Sequence, residues 1–226
     1  MSNSATNILP VIELNTGSSP THTIIWLHGL GADGNDFVPI VNELQLPTKI
    51  QAKFIFPHAP EQSISINNGY IMRAWYDIFS QSIDANHDEV GIKASQKAIN
   101  VLIENEIQKG VVSENIILAG FSQGGAMALQ VGLRQSNPLG GIMALSCYLP
   151  LANTLTTESS SINTTVPIFM AHGVDDAVIP LSQAIASKDL LLREGYLVEW
   201  HEYAMAHTVS RKEIKDIRDW LLKILI

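Results

Sequence analysis

IILAGFSQGGAMALQVGL, residues 116–133, opens as an apolar run through Ala119. It passes through Gly120-Phe121-Ser122-Gln123-Gly124 and continues from Gly125 in small and apolar residues, most of them good helix formers. The run before the glycines reads as a buried strand and the run after them as a helix. A serine on so sharp a strand-to-helix turn takes a strained backbone, and the flanking glycines admit neighbouring elements at close range. Its hydroxyl is then presented at the end of a sheet, with the positive end of a helix behind it. A five-residue G-x-S-x-G match also occurs in plain glycine turns. The strand before it and the helix after it are the context that assigns Ser122 as a nucleophile. The stretch carries no charge over its 18 residues, near the length that spans a bilayer. Ser122, Gln123, Gln130 and four glycines assign it to a strand and helix of a soluble fold instead.

Outward from this point, strand-like and helix-like segments alternate. On the N-terminal side, residues 8–14 and 23–27 read as strands separated by Gly17-Ser18-Ser19-Pro20, and residues 53–56 as another. Residues 57 to about 86 read as an irregular stretch. Residues 89–108 form a helix, because Ile92, Ile99, Leu102, Ile103 and Ile107 share one broad face and Gly110 can end it. On the C-terminal side, 141–147 and 166–172 are apolar runs suited to strands buried on both faces. Residues 153–165, rich in Ser, Thr and Asn, read as a surface loop. Pro180 opens a helix that Gly195 closes, and 197–203 is the last strand. Ser210 and Glu213 make a capping-box pattern for a final helix lined by Ile214, Ile217, Leu221 and Ile224. The expectation is one α/β domain over residues 1–226, with 1–7 a flexible tail. Its sheet is mostly parallel and covered by helices on both faces.

Composition excludes several classes. The chain has 226 residues, 46% of them hydrophobic, enough for one sizeable core. A net charge of -8 without any block of Lys and Arg argues against nucleic acid as a partner. The one cysteine, Cys147, permits neither an internal disulfide nor a cysteine-rich metal site, and an apolar strand gives it no base to activate it. The single cysteine gives a reducing, cytoplasmic setting as the expectation, and the start MSNSATNILP shows neither a signal-peptide pattern nor a Met-Gly start. No zinc site is expected either: His201-Glu202 would need a histidine at 205 for the H-E-x-x-H pattern, and Met205 stands there.

A nucleophilic serine needs a base and a group to orient that base, and in this architecture such groups sit at the carboxyl ends of strands. Strand 166–172 leads into Gly173-Val174-Asp175-Asp176, and strand 197–203 into Ala204-Met205-Ala206-His207. The order Ser122, an Asp, His207 is that of an α/β-hydrolase. An oxyanion hole needs the backbone N–H after the nucleophile, that of Gln123, and a second from a loop after an early strand. Trp26-Leu27-His28-Gly29-Leu30-Gly31 offers the Leu30 N–H, with His28 as a structural residue.

These motifs together resemble the acyl-protein thioesterase and carboxylesterase family of small serine α/β-hydrolases, sometimes grouped with lysophospholipases. The likeness covers nearly the whole chain. It runs through His28-Gly29-Leu30-Gly31 with Asp33-Gly34, Phe56-Pro57-His58-Ala59-Pro60, and Met72 followed by Trp75-Tyr76-Asp77. It continues through Gly120-Phe121-Ser122-Gln123-Gly124-Gly125, His172-Gly173 with Asp176 and Pro180, and Met205-Ala206-His207. The resemblance implies Ser122, Asp176 and His207 as the catalytic residues and Leu30 and Gln123 as oxyanion donors. It selects Asp176 over Asp175, because the family's acid lies four residues before the proline. Val174 departs from the pattern, since many members carry a further acid there. The N-terminal cysteine that animal members can acylate is absent.

The expected reaction is acyl transfer to Ser122 followed by hydrolysis, with no cofactor and no metal. The expected substrate is an acyl ester or thioester: a small molecule, a lipid or an acylated protein. Ile64, Ile66 and Ile71, interrupted by Asn67-Asn68-Gly69, are expected to form a mobile strip beside the site that contacts the acyl chain, together with Met72 and Trp75. For Trp75 a place in the core is an equal expectation. Transient contact with a membrane surface and a homodimer stay open. The competing class is a catalytically idle hydrolase fold that binds membrane surfaces, which turnover of a p-nitrophenyl ester would separate from an enzyme.

Overall fold

Strands buried on both faces need helices on both sides, and the chain supplies them in alternation. The computed structural model describes residues 8–80 and 87–225. It runs β1 (Val11–Asn15), β2 (His22–Leu27), α1 (Ile40–Glu43), β3 (Ala52–Pro57), β4 (Glu61–Ile64), β5 (Tyr70–Arg73) and α2 (Glu89–Gln108). It continues with β6 (Ile116–Phe121), α3 (Gln123–Gly132), β7 (Gly141–Leu145), α4 (Leu155–Glu158), β8 (Pro167–Gly173), α5 (Leu181–Arg193), β9 (Leu197–Tyr203) and α6 (Arg211–Ile224). The tail expected over residues 1–7 lies outside the described residues.

The main sheet has 7 strands in the order β1-β3-β2-β6-β7-β8-β9. β1 is antiparallel to β3, and every other pairing is parallel. Successive residues of each central strand feed opposite cores, as a period of two requires. Ile25, Leu27, Leu118, Ile142 and Met170 pack with α2 and α3 on one face. Ile24, Trp26, Ile117, Met143 and Phe169 pack with α1 and α6 on the other. On α6, Ile217 and Leu221 are fully buried, each worth about 1.5 to 3 kcal/mol against an exposed side chain. Its capping box forms: Glu213 N–H donates to Ser210 Oγ, and Ser210 N–H donates to Glu213 Oε2, both at 3.2 Å. The uncharged stretch 116–133 divides into β6 and α3. No helix among the described residues is long and apolar enough to cross a membrane.

Three segments differ from the expectation. β1 begins at Val11, because Pro10 has no N–H to give to a ladder. The stretch after residue 57 holds a β4–β5 hairpin, registered Ser63 to Ile71 and Ile64 to Tyr70. Its turn places Asn68 and Gly69 at φ +55° and +77°, the conformation that Asn and Gly tolerate best. Four-residue strands are too short for periodicity to reveal. Segment 153–165 contains α4 and is anchored rather than loose. Buried Asn163 accepts from Leu139 N–H at 2.9 Å and donates to the carbonyls of Gln135 and Asn137 at 2.9 and 3.0 Å.

Candidate active site

The parallel strands end on one edge of the sheet, and the loops there converge on Ser122. Ser122 follows β6 with φ +56° and ψ -121°, a strained conformation for a residue with a side chain. The surroundings hold it there: its N–H donates to Leu145 O at 2.8 Å. A Cβ on Gly120 would lie 2.2 Å from Gly124 O, and one on Gly124 would lie 2.2 Å from Leu27 O, so neither position admits a side chain.

The structure brings the predicted triad together. His207 Nε2 stands 2.9 Å from Ser122 Oγ, and His207 Nδ1 stands 2.7 Å from Asp176 Oδ2. A carboxylate only accepts, so Nδ1 carries the proton and Nε2 faces the serine with its lone pair. Asp176 Oδ1 accepts the N–H groups of Val178 and Ile179, each at 2.9 Å. Burial would raise this carboxyl. The contact with His207 and the Ile179 and Val178 N–H groups outweigh burial and hold it below the usual carboxylate range. His172, fully buried, donates from Nε2 to Ile179 O at 2.8 Å and closes the loop around the acid. Burial pushes the His172 imidazole down, which keeps it neutral. Gly173 lets the histidine loop approach, since a Cβ there would meet Met205 O at 2.3 Å. Asp175, by contrast, is exposed, and its N–H donates to Met205 O at 3.1 Å.

Leu30 and Gln123, the expected oxyanion donors, both line the cavity beside Ser122. Gln123 opens α3, so its N–H has no partner within the helix. His28 is structural, as expected. Its Nδ1–H donates to Gly29 O at 2.7 Å, and its Nε2 accepts Ala59 N–H at 3.0 Å. Burial lowers its pKa, in keeping with this neutral form.

The cavity has a volume of about 630 Å³. Of the five residues expected to hold the acyl chain, only Ile66 lines it. Ile64 is fully buried elsewhere, and Trp75 is a core residue. Ile71 is 64% exposed on the outer side of the hairpin. Met72 accepts a weak bond from Asn67 Nδ2 at 3.6 Å and lies against Gly31. The strip forms a hairpin, and Asp77 accepts from Ser65 N–H at 2.7 Å and from Ser65 Oγ at 2.5 Å at its turn. The apolar walls come instead from Ile78, Phe79, Phe121, Tyr148, Val178 and Ile179. Weak signals mark some of them: Ile78 and Phe79 follow the Trp75-Tyr76-Asp77 motif, and Ile179 sits between Asp176 and Pro180. Tyr148 has none. Its hydroxyl meets that of Tyr76 at 3.1 Å, and His87 stacks on its ring at 5.8 Å. Cys147 is buried, and burial pushes its thiol up, away from the reactive thiolate.

Comparisons with known proteins give the family and the fold. The sequence profile described as phospholipase/carboxylesterase matches residues 10–225. Acyl-protein thioesterase 1 of Gibberella zeae is 38% identical over 231 residues, covering 98% of this chain and 98% of that protein. Among solved structures, Arabidopsis thaliana SOBER1 superposes with a TM-score of 0.86 at 31% identity, covering 91% of this chain and 99% of that one. Zea mays acyl-protein thioesterase 2 superposes with a TM-score of 0.83 at 28% identity, covering 96% and 99%. A match over nearly the full length, joined to a strained serine turn and the fold of these neighbours, places the chain in the phospholipase/carboxylesterase family of α/β-hydrolases.

Proposed function

We propose that the chain is a serine hydrolase that cleaves carboxylic esters and thioesters of acyl chains, with Ser122 as nucleophile, His207 as base and Asp176 as the orienting acid. The observation that carries this reading is the unbroken hydrogen-bonded line from Asp176 Oδ2 through both ring nitrogens of His207 to Ser122 Oγ. His207 Nε2 takes the serine proton as Oγ attacks the acyl carbonyl carbon. The carbonyl oxygen becomes an oxyanion held by the Leu30 and Gln123 N–H groups, an effect worth about 3 to 4 kcal/mol per donor in comparable sites. The proton on His207 then passes to the departing alcohol or thiol, leaving the acyl group on Ser122. His207 next draws a proton from water, whose oxygen attacks the acyl-enzyme; the acid is released and Ser122 regains its proton.

The acyl chain lies along the wall of Ile66, Ile78, Phe79, Tyr148 and Ile179. Phe79 and Val178 line the same cavity and are 50% and 67% exposed. Such an apolar rim suits a substrate whose acyl chain leaves a membrane surface during transient contact. The relatives named acyl-protein thioesterase point to an acylated protein as that substrate. A cytoplasmic setting accords with the single, buried, free thiol. A catalytically idle binding module is disfavoured, because a side chain or backbone group stands in position for each role. Ser122→Ala is expected to abolish turnover of p-nitrophenyl octanoate and of an S-acyl peptide while leaving the melting temperature nearly unchanged; retained activity removes Ser122 from the mechanism.

A further inference from the structure

An oxyanion hole works when its donors converge on one point, 2.7 to 3.1 Å from each. Leu30 is poorly placed to meet that demand alone. It sits between two glycines, with Gly31 at φ +77°; its peptide plane is held inside the loop through Gly29 O, which accepts from His28 Nδ1–H at 2.7 Å and from Ala32 N–H at 3.3 Å, so the position of the loop as a whole must be fixed from outside. Two bonds fix it. Before Leu30, the His28 carbonyl accepts from the indole Nε1–H of Trp75 at 2.9 Å. After it, the Gly31 N–H donates to the Arg73 carbonyl at 2.9 Å.

The second donor is held from the same place. The Gln123 side chain accepts Trp75 N–H at Oε1 and donates from Nε2 to the Tyr76 carbonyl, both at 2.8 Å. Both side chains are buried, Trp75 at 1% exposure and Gln123 at 3%. The Ser95 hydroxyl donates to the Trp75 carbonyl and fixes the segment to α2. Residues 73–76 therefore reach both walls of the oxyanion hole through four hydrogen bonds, three of them to or from Trp75 and Gln123 side-chain atoms.

We propose that residues 73–76, the Trp75 indole N–H and the Gln123 side chain form a brace that sets the spacing and direction of the Leu30 and Gln123 donors. Trp75 and the Gln123 side chain are thus positioning residues, in addition to the backbone N–H that Gln123 supplies. This rests on the serine-hydrolase reading above. A brace of this kind acts on the oxyanion, which exists only beyond the ground state. Its loss lowers kcat and spares KM, whereas loss of an acyl contact discriminates between chain lengths.

The test uses Gln123→Met, which keeps the length of the side chain and deletes both bonds, and Trp75→Phe, which keeps a ring in the core and deletes the N–H that reaches His28. Both are assayed on p-nitrophenyl acetate and octanoate, and with a trifluoromethyl ketone, which places an oxyanion in the hole. The expected result is a fall in kcat of about 10- to 100-fold on both esters, the size that displacements near 1 Å produce. KM should stay within about twofold, and ketone affinity should fall by the same factor as kcat. Unchanged ketone affinity, a raised KM with full kcat, or a loss confined to octanoate overturns the brace. Melting curves by circular dichroism report folding, and Trp75→Phe decides the matter if Gln123→Met does not fold. An inactive wild type, or an active Ser122→Ala, overturns the serine-hydrolase reading and the brace with it. Ser122-dependent turnover with full kcat in both variants overturns the brace alone.

Discussion

Asp176→Asn isolates the acid, because asparagine preserves most of what Asp176 does structurally. Its Oδ1 can go on accepting the Val178 and Ile179 N–H groups, now at 2.9 Å, so the loop keeps its shape. What changes is the atom 2.7 Å from His207 Nδ1, where an acceptor becomes an NH2 donor. His207 then turns a bare Nδ1 toward position 176 and carries its proton on Nε2, aimed at Ser122 Oγ 2.9 Å away. In that tautomer it cannot take the serine proton. The same exchange in a Ser-His-Asp protease costs about 10⁴ in kcat, or about 5.5 kcal/mol of transition-state stabilisation. Stability should move far less. The lost charge-assisted bond is worth about 1.5 to 3 kcal/mol, partly offset because the buried carboxylate no longer has to be desolvated. Asp175→Asn is the control, since that side chain is exposed and only its backbone N–H is bound. Saturating p-nitrophenyl octanoate gives kcat, and scanning calorimetry gives stability. A kcat for Asp176→Asn within about tenfold of wild type, or an equal loss at Asp175, would refute this account of the triad.

Ile66→Ser should lower the octanoate-to-acetate ratio of kcat/KM by about tenfold, the scale of a few apolar methylenes. Ile71→Ser, on the outer side of the hairpin, should leave it unchanged, and an equal drop at both would place the acyl chain on the hairpin's outer face. Glu213→Gln should flatten the stability profile. Burial raises the Glu213 carboxyl from 4.5 to about 8, with Asp216 adding to the effect. The folded state therefore keeps a proton that the unfolded chain releases, and wild-type stability falls as pH rises from 4.5 through about 8. Glutamine keeps the capping box without that titration, so its melting temperature should gain on wild type between pH 5 and pH 8; a constant difference would show that Glu213 does not titrate in this window.

The meeting of Ser122, His207 and Asp176 was legible because it follows from chain order. Once 115–120, 166–172 and 197–203 read as parallel strands, Ser122, Asp176 and His207 had to leave the same edge of the sheet. Long apolar runs, glycines and a capping box are local signals, and α2 and β9 appear over the expected residues. The cavity walls were not legible for the same reason in reverse. Phe121 ends β6, while Tyr148 and Val178 lie in the connections after β7 and β8, and nothing local says that they face one another. Ile64 shows the limit in one residue: an isoleucine between two serines suits an exposed strip as well as the buried side of a four-residue strand. Its hairpin partner Tyr70 is 69% exposed while Ile64 is fully buried, so packing beyond the hairpin decides between them.

Trp75 sharpens the point, because apolarity alone placed it either in the core or beside the acyl chain, and its polar atom does something else. The acceptor that the buried Trp75 indole N–H finds, His28 O, lies in the loop that carries Leu30. The site thereby divides into two kinds of residue. Gly120, Gly124, Trp75 and the Gln123 side chain act through close backbone approach or buried hydrogen bonds, where a shift of a few tenths of an ångström alters the reacting geometry. Ile66, Phe79 and Val178 border open space and contribute apolar area. Changes in the first group should act on kcat for every acyl length alike, and changes in the second on the choice among lengths. A rim of exposed side chains set on a rigid base can alter its substrate preference without disturbing the bonds that hold Ser122, His207 and Asp176 in line.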